Sequence, residues 1–352
     1  MSSSLTGELY TKFIMNTSIK ELPPTPPLEP SAKRVRPRFH DLPLREGDPK
    51  CSAWGLWGDN DEIGTLNLIT SQAVAMAAQE ACRGIVVPLS LPLEEPILPM
   101  NPRRSPCSHK IIAKGYANDD EIHVNTQSSS HWDGLRHYPY QIEQQQRFYN
   151  GATQEDISGP DKNAKIGIQN LARRGIVGRG VLLDWREYAK QNGINYSPFE
   201  THAIPLEQLL EVSRIQNITF CAGDILLIRT GWTEEYRRLA GEEKLQLATR
   251  EVRSFVGVEA SEEMLRWHWD SQFAAVASDT NAYESWPPAK PWDVSCHEVL
   301  LSGWGMPIGE VWDLEELSET CRALGKWTFL ITSSPLNLNG GVASPSNALA
   351  IF

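Results

Sequence analysis

Gln127, Ser129, His131, Asp133 and His137 stand within residues 127–137, the densest grouping of chemistry-bearing side chains in the sequence. If this stretch is extended, the two-residue period of a strand puts Gln127, Ser129, His131 and Asp133 on one face, so a carboxamide, an imidazole and a carboxylate converge. Gly134 then permits a turn that folds His137 back toward the same point. A hydrolytic metal centre needs neutral imidazole and carboxylate ligands, an open position for water, and a base for the water's proton. His137 suits the last role, because an imidazole titrates near pH 6.5, about where that proton has to move. The competing reading makes His131 and His137 ordinary hydrogen-bonded histidines.

A second cluster lies far downstream, where Ser295 and His297 precede a glycine-rich stretch that ends at Glu310. Ser295 is placed to cap a short helix. His297 would then sit in its first turn, where backbone N–H groups disfavour the protonated imidazole and leave a lone pair for a metal. Glu310 follows a segment too broken for a helix, and loops of that kind present carboxylates to sites. Asp279 and Thr280 end a strand candidate and either support the site or cap the next turn. Trp57, Trp132, Tyr138, Tyr140 and Trp286 either line a pocket for a flat substrate or pack in the core.

These groups need a frame to hold them. Thr70, an alanine-rich interior and Gly84 predict a capped helix over 70–82. Short apolar runs at 84–91, 180–185, 224–230, 273–278 and 327–332 have buried-strand length. Helical periodicity marks 205–214, 233–253, 260–269 and 314–324. The order predicts an α/β fold with a core sheet covered by helices, and no phosphate-binding glycine loop opens any helix. Residues 1–37 are rich in Ser, Thr and Pro and read as a disordered or loosely docked arm, leaving 38–352 as one folded domain. The basic cluster Lys33, Arg34, Arg36 and Arg38 is either a nuclear address or plain solvated charge.

Composition narrows the partners. The content is 41% hydrophobic and 22% charged, as in a globular protein, with a formal net charge of -11. That charge argues against nonspecific attraction to nucleic acid or anionic membranes and leaves a small-molecule substrate as the expected partner. The six cysteines are scattered with no C-x-x-C pair, which indicates neither a zinc knuckle nor a disulfide framework. No run reaches the roughly 18 apolar residues that span a bilayer, and the N-terminus has no signal-like apolar region. The expected location is cytoplasmic.

Over about residues 38–352 the sequence resembles the cyclase-like superfamily that includes bacterial kynurenine formamidases, isatin hydrolases and polyketide-associated cyclases. The family motif H-x-G-T-H-x-D-x-P-x-H falls on 127–137 with four differences: Gln127 for the first His, Ser129 and Ser130 for Gly-Thr, and Leu135 for Pro. Segments 54–58, 62–68, 223–232 and 339–352 look like its eukaryotic, secondary-metabolite branch. The resemblance implies a swivelling β/β/α fold with a mixed sheet, and a homodimer. It implies metal binding by His131 and Asp133, proton transfer by His137, and completion of the site by His297 and Glu310. A carboxamide at Gln127 is a weaker and harder donor than imidazole, which lowers zinc affinity and shifts preference toward manganese or magnesium.

The expected cofactor is thus a divalent ion, zinc or manganese first and magnesium next. The expected reaction is hydrolysis of an amide, lactam or ester in a small aromatic or polyketide-like molecule. In it Gln127 ligates the ion or orients the water, and His137 shuttles the proton. Two alternatives stay open: ring closure or dehydration in secondary-metabolite biosynthesis, with or without metal, and a catalytically silent protein that kept the pocket.

Overall fold

Ile225, Leu226, Leu227 and Ile228 are all fully buried, although consecutive strand residues point to opposite faces. The alternation sends Ile225 and Leu227 into one hydrophobic core and Leu226 and Ile228 into another. A strand covered on both sides reads as an unbroken apolar run, which is why these segments stand out in the sequence. The computed structural model describes residues 36–142, 145–290 and 293–352. Residues 1–35 of the proline-rich arm, with Lys33 and Arg34 of the basic cluster, therefore lie outside the described residues, and 38–352 form one compact unit.

The strands are β1 (Val86–Pro88), β2 (Ser108–Ala113), β3 (Asn118–His123), β4 (His131–Asp133), β5 (Tyr140–Ile142), β6 (Gln145–Arg147), β7 (Ile176–Leu183) and β8 (His202–Ile204). They continue with β9 (Ile225–Ile228), β10 (Val256–Val258), β11 (Ala275–Ser278), β12 (Ile308–Glu310), β13 (Thr328–Ser333), β14 (Ala343–Pro345) and β15 (Ala348–Ile351). Nine of them make one mixed sheet in the order β1-β15-β13-β7-β9-β11-β12-β4-β14. The steps β7-β9-β11-β12 are parallel, and the flanks are antiparallel. All five predicted strands fall in this sheet. Helices Leu206–Ile215 and Glu262–Asp270 bury Leu209 and Met264 in the core that holds Leu226. Helix Glu315–Leu324 buries Leu317 and Cys321 in the other. This α/β arrangement is the one the resemblance implied.

Capping follows the sequence closely. Thr70 accepts from the Ala73 amide at 3.1 Å and Ser261 from the Met264 amide at 3.2 Å, each satisfying an otherwise orphaned donor. The single helix expected over 233–253 is instead two, Trp232–Arg238 and Gly241–Thr249. Leu239 and Ala240 are extended, and the Glu243 carboxylate accepts from the Ala240 amide at 2.7 Å, starting a new helix where the periodicity alone predicted continuation. All six cysteines are free thiols. Among the described residues no helix is long and apolar enough to cross a membrane.

Two glycines allow close backbone approaches behind the candidate site. A Cβ on Gly64, at φ +53, would lie 2.2 Å from the Gly305 carbonyl oxygen; Gly305 belongs to the turn that leads into β12. A Cβ on Gly257 in β10 would lie 2.3 Å from the carbonyl carbon of Glu284. Backbone cannot yield as a flexible side chain can. Gly257→Ala is therefore expected to destabilise the protein by about 1–3 kcal/mol in urea unfolding. Gly241→Ala, with nothing within 4 Å of the new methyl, should leave the midpoint unchanged or slightly raised.

Candidate active site

Strand β4 is three residues long, and its register determines what meets what. Its antiparallel pairing with β12 sets His131 opposite Glu310 and Asp133 opposite Ile308, while β14 sets Pro345 opposite His131 on the other side. Directly opposed residues share a face, with Cβ atoms roughly 5 Å apart. The register thus converts a long sequence separation into contact. Trp132 between them points into the opposite core, fully buried, with its indole N–H donating to Ser333 Oγ at 2.9 Å.

The chain entering β4 is pinned by the serines that replace Gly-Thr. Ser130 Oγ accepts from the Leu91 amide at 2.8 Å and donates to the Val311 carbonyl, and Ser129 Oγ donates to the Pro92 carbonyl at 2.9 Å. Gln127 is not in the strand. A turn places it, its amide donating to Asn125 Oδ1 at 3.0 Å and its carbonyl accepting from Arg104 at 2.9 Å. Past β4, Gly134 bonds to the Val342 carbonyl and the His137 amide to the Gly134 carbonyl, both at 3.0 Å, which turns His137 back as expected.

The His131 ring donates from Nδ1 to the Ser129 carbonyl at 2.8 Å. That bond leaves a lone pair on Nε2, which faces Asp133 Oδ1 at 3.3 Å and Glu310 Oε2 at 3.5 Å. All three residues are buried, and the ligand atoms of His131, Asp133 and Glu310 lie within 4.8 Å of one another. His131 Nε2 and Asp133 Oδ2 have no hydrogen-bond partner among the described residues. A buried imidazole nitrogen and a carboxylate oxygen left without partners beside a second carboxylate are costly without a cation. One imidazole and two carboxylates suit a divalent ion.

The remaining predicted residues form a surrounding layer. The Gln127 amide nitrogen donates to Asp133 Oδ1 at 2.6 Å and lies 3.0 and 3.2 Å from the two ring nitrogens of His137. His297 stands one step outside the convergent trio, with Nε2 3.0 Å from Glu310 Oε1 and Nδ1 3.3 Å from Glu284 Oε1. Glu284 Oε2 also accepts from the His297 amide at 3.0 Å.

Ser295 does cap the turn that carries His297: its amide donates to Glu298 Oε2 at 2.7 Å and the Glu298 amide to its Oγ at 3.3 Å, ahead of the π-helix Glu298–Gly303. The expectation that this placement keeps His297 neutral is corrected. Burial does act to lower its pKa, but the Glu284 carboxylate and then Glu310 outweigh that and raise it well above the ordinary imidazole value. Glu284 had no recognisable spacing to either cluster. It is brought in by the Gly257 approach and by a bridge between Val258 and Glu284.

Burial pushes His137 down to about 4 against the opposing pull of Asp133, so its imidazole is neutral near pH 7. Asp133 moves the other way: burial would raise its pKa, but the imidazoles of His137 and His131 hold it well below the usual carboxylate range. Asp279 accepts from Thr230 and Gly231 and ties the end of β9; it is not one of the convergent trio.

His137, His297 and Glu310 open onto a pocket of about 200 Å³, at the small end for ligand sites. Tyr138, Phe255 and Trp286 supply aromatic wall; Arg104, Arg253 and Asn281 supply polar groups. Of the five aromatic candidates, Tyr138 and Trp286 line this pocket. Trp132 and Tyr140 are core residues, the latter donating to the Lys50 carbonyl at 2.8 Å, and Trp57 lies off the lining. A larger open cleft of about 640 Å³, beside Cys82 and Cys221, holds none of the predicted residues.

The fold has counterparts among known proteins. The family model described as "Putative cyclase" matches residues 87–285. A solved structure described as a novel cyclase is 30% identical, with a TM-score of 0.74 and a match covering 86% of this chain and 99% of that one. Isatin hydrolase A from Ralstonia solanacearum shares the fold at 18% identity and a TM-score of 0.54, over 80% of this chain and 97% of that one. Isatin hydrolase A from Labrenzia aggregata, bound to benzyl benzoate, does so at 15% identity and 0.53, over 79% and 97%. No curated protein matches the chain. With the family model covering more than half of the residues and a solved cyclase 30% identical along nearly its whole length, the chain belongs to the cyclase family.

Proposed function

We propose that this cyclase-family protein is a metal-dependent hydrolase of an amide, lactam or ester bond in a small aromatic or polyketide-like molecule. The observation that carries the reading is the buried convergence of His131, Asp133 and Glu310, with His131 Nε2 and Asp133 Oδ2 left without a partner among the described residues. A divalent ion held by these three residues supplies a Lewis acid that polarises a carbonyl and lowers the pKa of water. The oxygen-rich donor set accords with manganese or zinc. The likeness to two structures named isatin hydrolase accords with cleavage of a cyclic amide.

The chain's own residues divide the remaining work. His137, neutral and at the pocket wall, takes the proton from the attacking water and returns it to the leaving group. Gln127 fixes Asp133 and His137 relative to each other through its amide N–H bonds. His297 holds the outer oxygen of Glu310, and Glu284 holds His297 from behind, so the inner oxygen of Glu310 stays turned toward His131. The aromatic walls exclude bulk water from the reacting group.

A second reading, ring closure or dehydration, is favoured by one feature: Gln127 turns its amide nitrogen to Asp133 and His137. A proton-transfer pair needs such an arrangement more than water activation does. Turnover in oxygen-18 water separates the two readings. Hydrolysis places the label in the product, whereas product free of label would sink the hydrolytic reading in favour of the second.

Two kinetic outcomes follow for His137. His137→Ala should lower kcat by about 10²–10⁴ in a protein whose circular dichroism is unchanged, and undiminished turnover would remove His137 from the mechanism. Because the base must be neutral and its pKa lies near 4, activity is lost as pH falls through that value. The log kcat/KM profile should therefore run level through the ordinary imidazole region, about pH 6.5, and bend downward only toward about 4.

A further inference from the structure

Several guanidinium groups of this acidic protein are matched to carboxylates. Arg179 meets Asp224 at 2.7 Å, Arg186 meets Glu234 at 2.9 Å, Arg229 meets Asp184 at 2.9 Å and Arg237 meets Asp313 at 2.7 Å. Arg253 differs. It is half-buried in the wall of the active-site pocket, and among the described residues it has neither an ion-pair partner nor a hydrogen-bond acceptor. Its charged neighbours are cations: burial first, then Arg104 and Arg103, pull its pKa below the usual value. Arg104 lines the same pocket and is held there by its bond to the Gln127 carbonyl.

A guanidinium without a partner beside a second one is unfavourable unless an anion joins them. A third group points the same way. Asn281 lines the pocket, and its side-chain Nδ2, though buried, has no acceptor. Buried donors are ordinarily satisfied. Met100, Phe255 and Trp286 supply apolar wall beside these groups, and His137, His297 and Glu310 line another part of the pocket.

We infer that the substrate carries a carboxylate besides the bond that reacts, and that Arg253, with Arg104 and Asn281, receives it while the aromatic wall holds the flat body. A planar carboxylate is the anion that matches a guanidinium fork in two parallel hydrogen bonds. The inference rests on the pocket being where the proposed hydrolase binds its substrate. It narrows the substrate class to small aromatic or unsaturated acids with their hydrolysable group at the His137 and Glu310 end.

Binding without turnover tests it separately from the hydrolytic reading. Benzoate and its neutral counterpart benzamide are titrated by calorimetry into the full-length protein, both chelator-treated and loaded with manganese. The chelator-treated protein should bind benzoate at least about tenfold more tightly than benzamide, Arg253→Ala should abolish that preference, and Arg253→Lys should retain part of it. Equal binding of the two compounds, or binding of neither at millimolar concentration, overturns the inference. So does a benzoate preference that survives Arg253→Ala, or one that exists only with manganese present, since the ion itself would then be holding the carboxylate.

Discussion

The antiparallel pairing of β4 with β12 sets His131 against Glu310, and the rest of the site is arranged around that contact. Because side chains alternate along a strand, a slip of one residue would turn Trp132 to the pocket and His131 into the second core. Trp132 meets Trp312 edge-on at 4.8 Å, and the Trp312 indole donates to the His131 carbonyl at 3.0 Å. The tryptophans on one face thereby hold the register that the acids on the other face use. Large buried aromatics contribute several kcal/mol each, enough to offset the cost of burying the polar trio.

Charge is distributed unevenly around the pocket. Carboxylates of Asp133, Glu284 and Glu310 are interleaved with the imidazoles of His131, His137 and His297, and of these Glu310, His137 and His297 reach the pocket. The outer wall is basic, with Arg104 and Arg253. Replacing the family's first motif histidine with Gln127 fits this balance. The carboxamide gives up a potential imidazole ligand and supplies a neutral donor to Asp133, leaving a compact trio with a hydrogen-bonded rim. The same trio that calls for a cation is thus bordered by groups that orient its members without competing for it.

Much of this was legible in the residues alone. Unbroken apolar runs announced strands buried on both faces, and Thr70 announced its helix through a local hydrogen bond. The period of two placed His131 and Asp133 together, and Gly134 returned His137 to them. What sequence could not give was pairing across the sheet: Glu310 was expected from a loop, yet it ends β12 because its partner strand lies far upstream. The protonation of His297 failed for the same reason, since Glu284 reaches it only through the tertiary approach at Gly257. Arg253 and Asn281 sit in no motif, and their meaning depends on which neighbours they lack.

The central claim, that the β4–β12 register builds a cation site from His131, Asp133 and Glu310, is tested most directly by elemental analysis of bound metal. The full-length protein is reconstituted with manganese or zinc beside the nearly isosteric Glu310→Gln variant and the His131→Ala variant. The account predicts about one divalent ion per chain in the parent protein and loss of that ion from both variants. Retention of the ion in both variants, or its absence from the reconstituted parent, would contradict it.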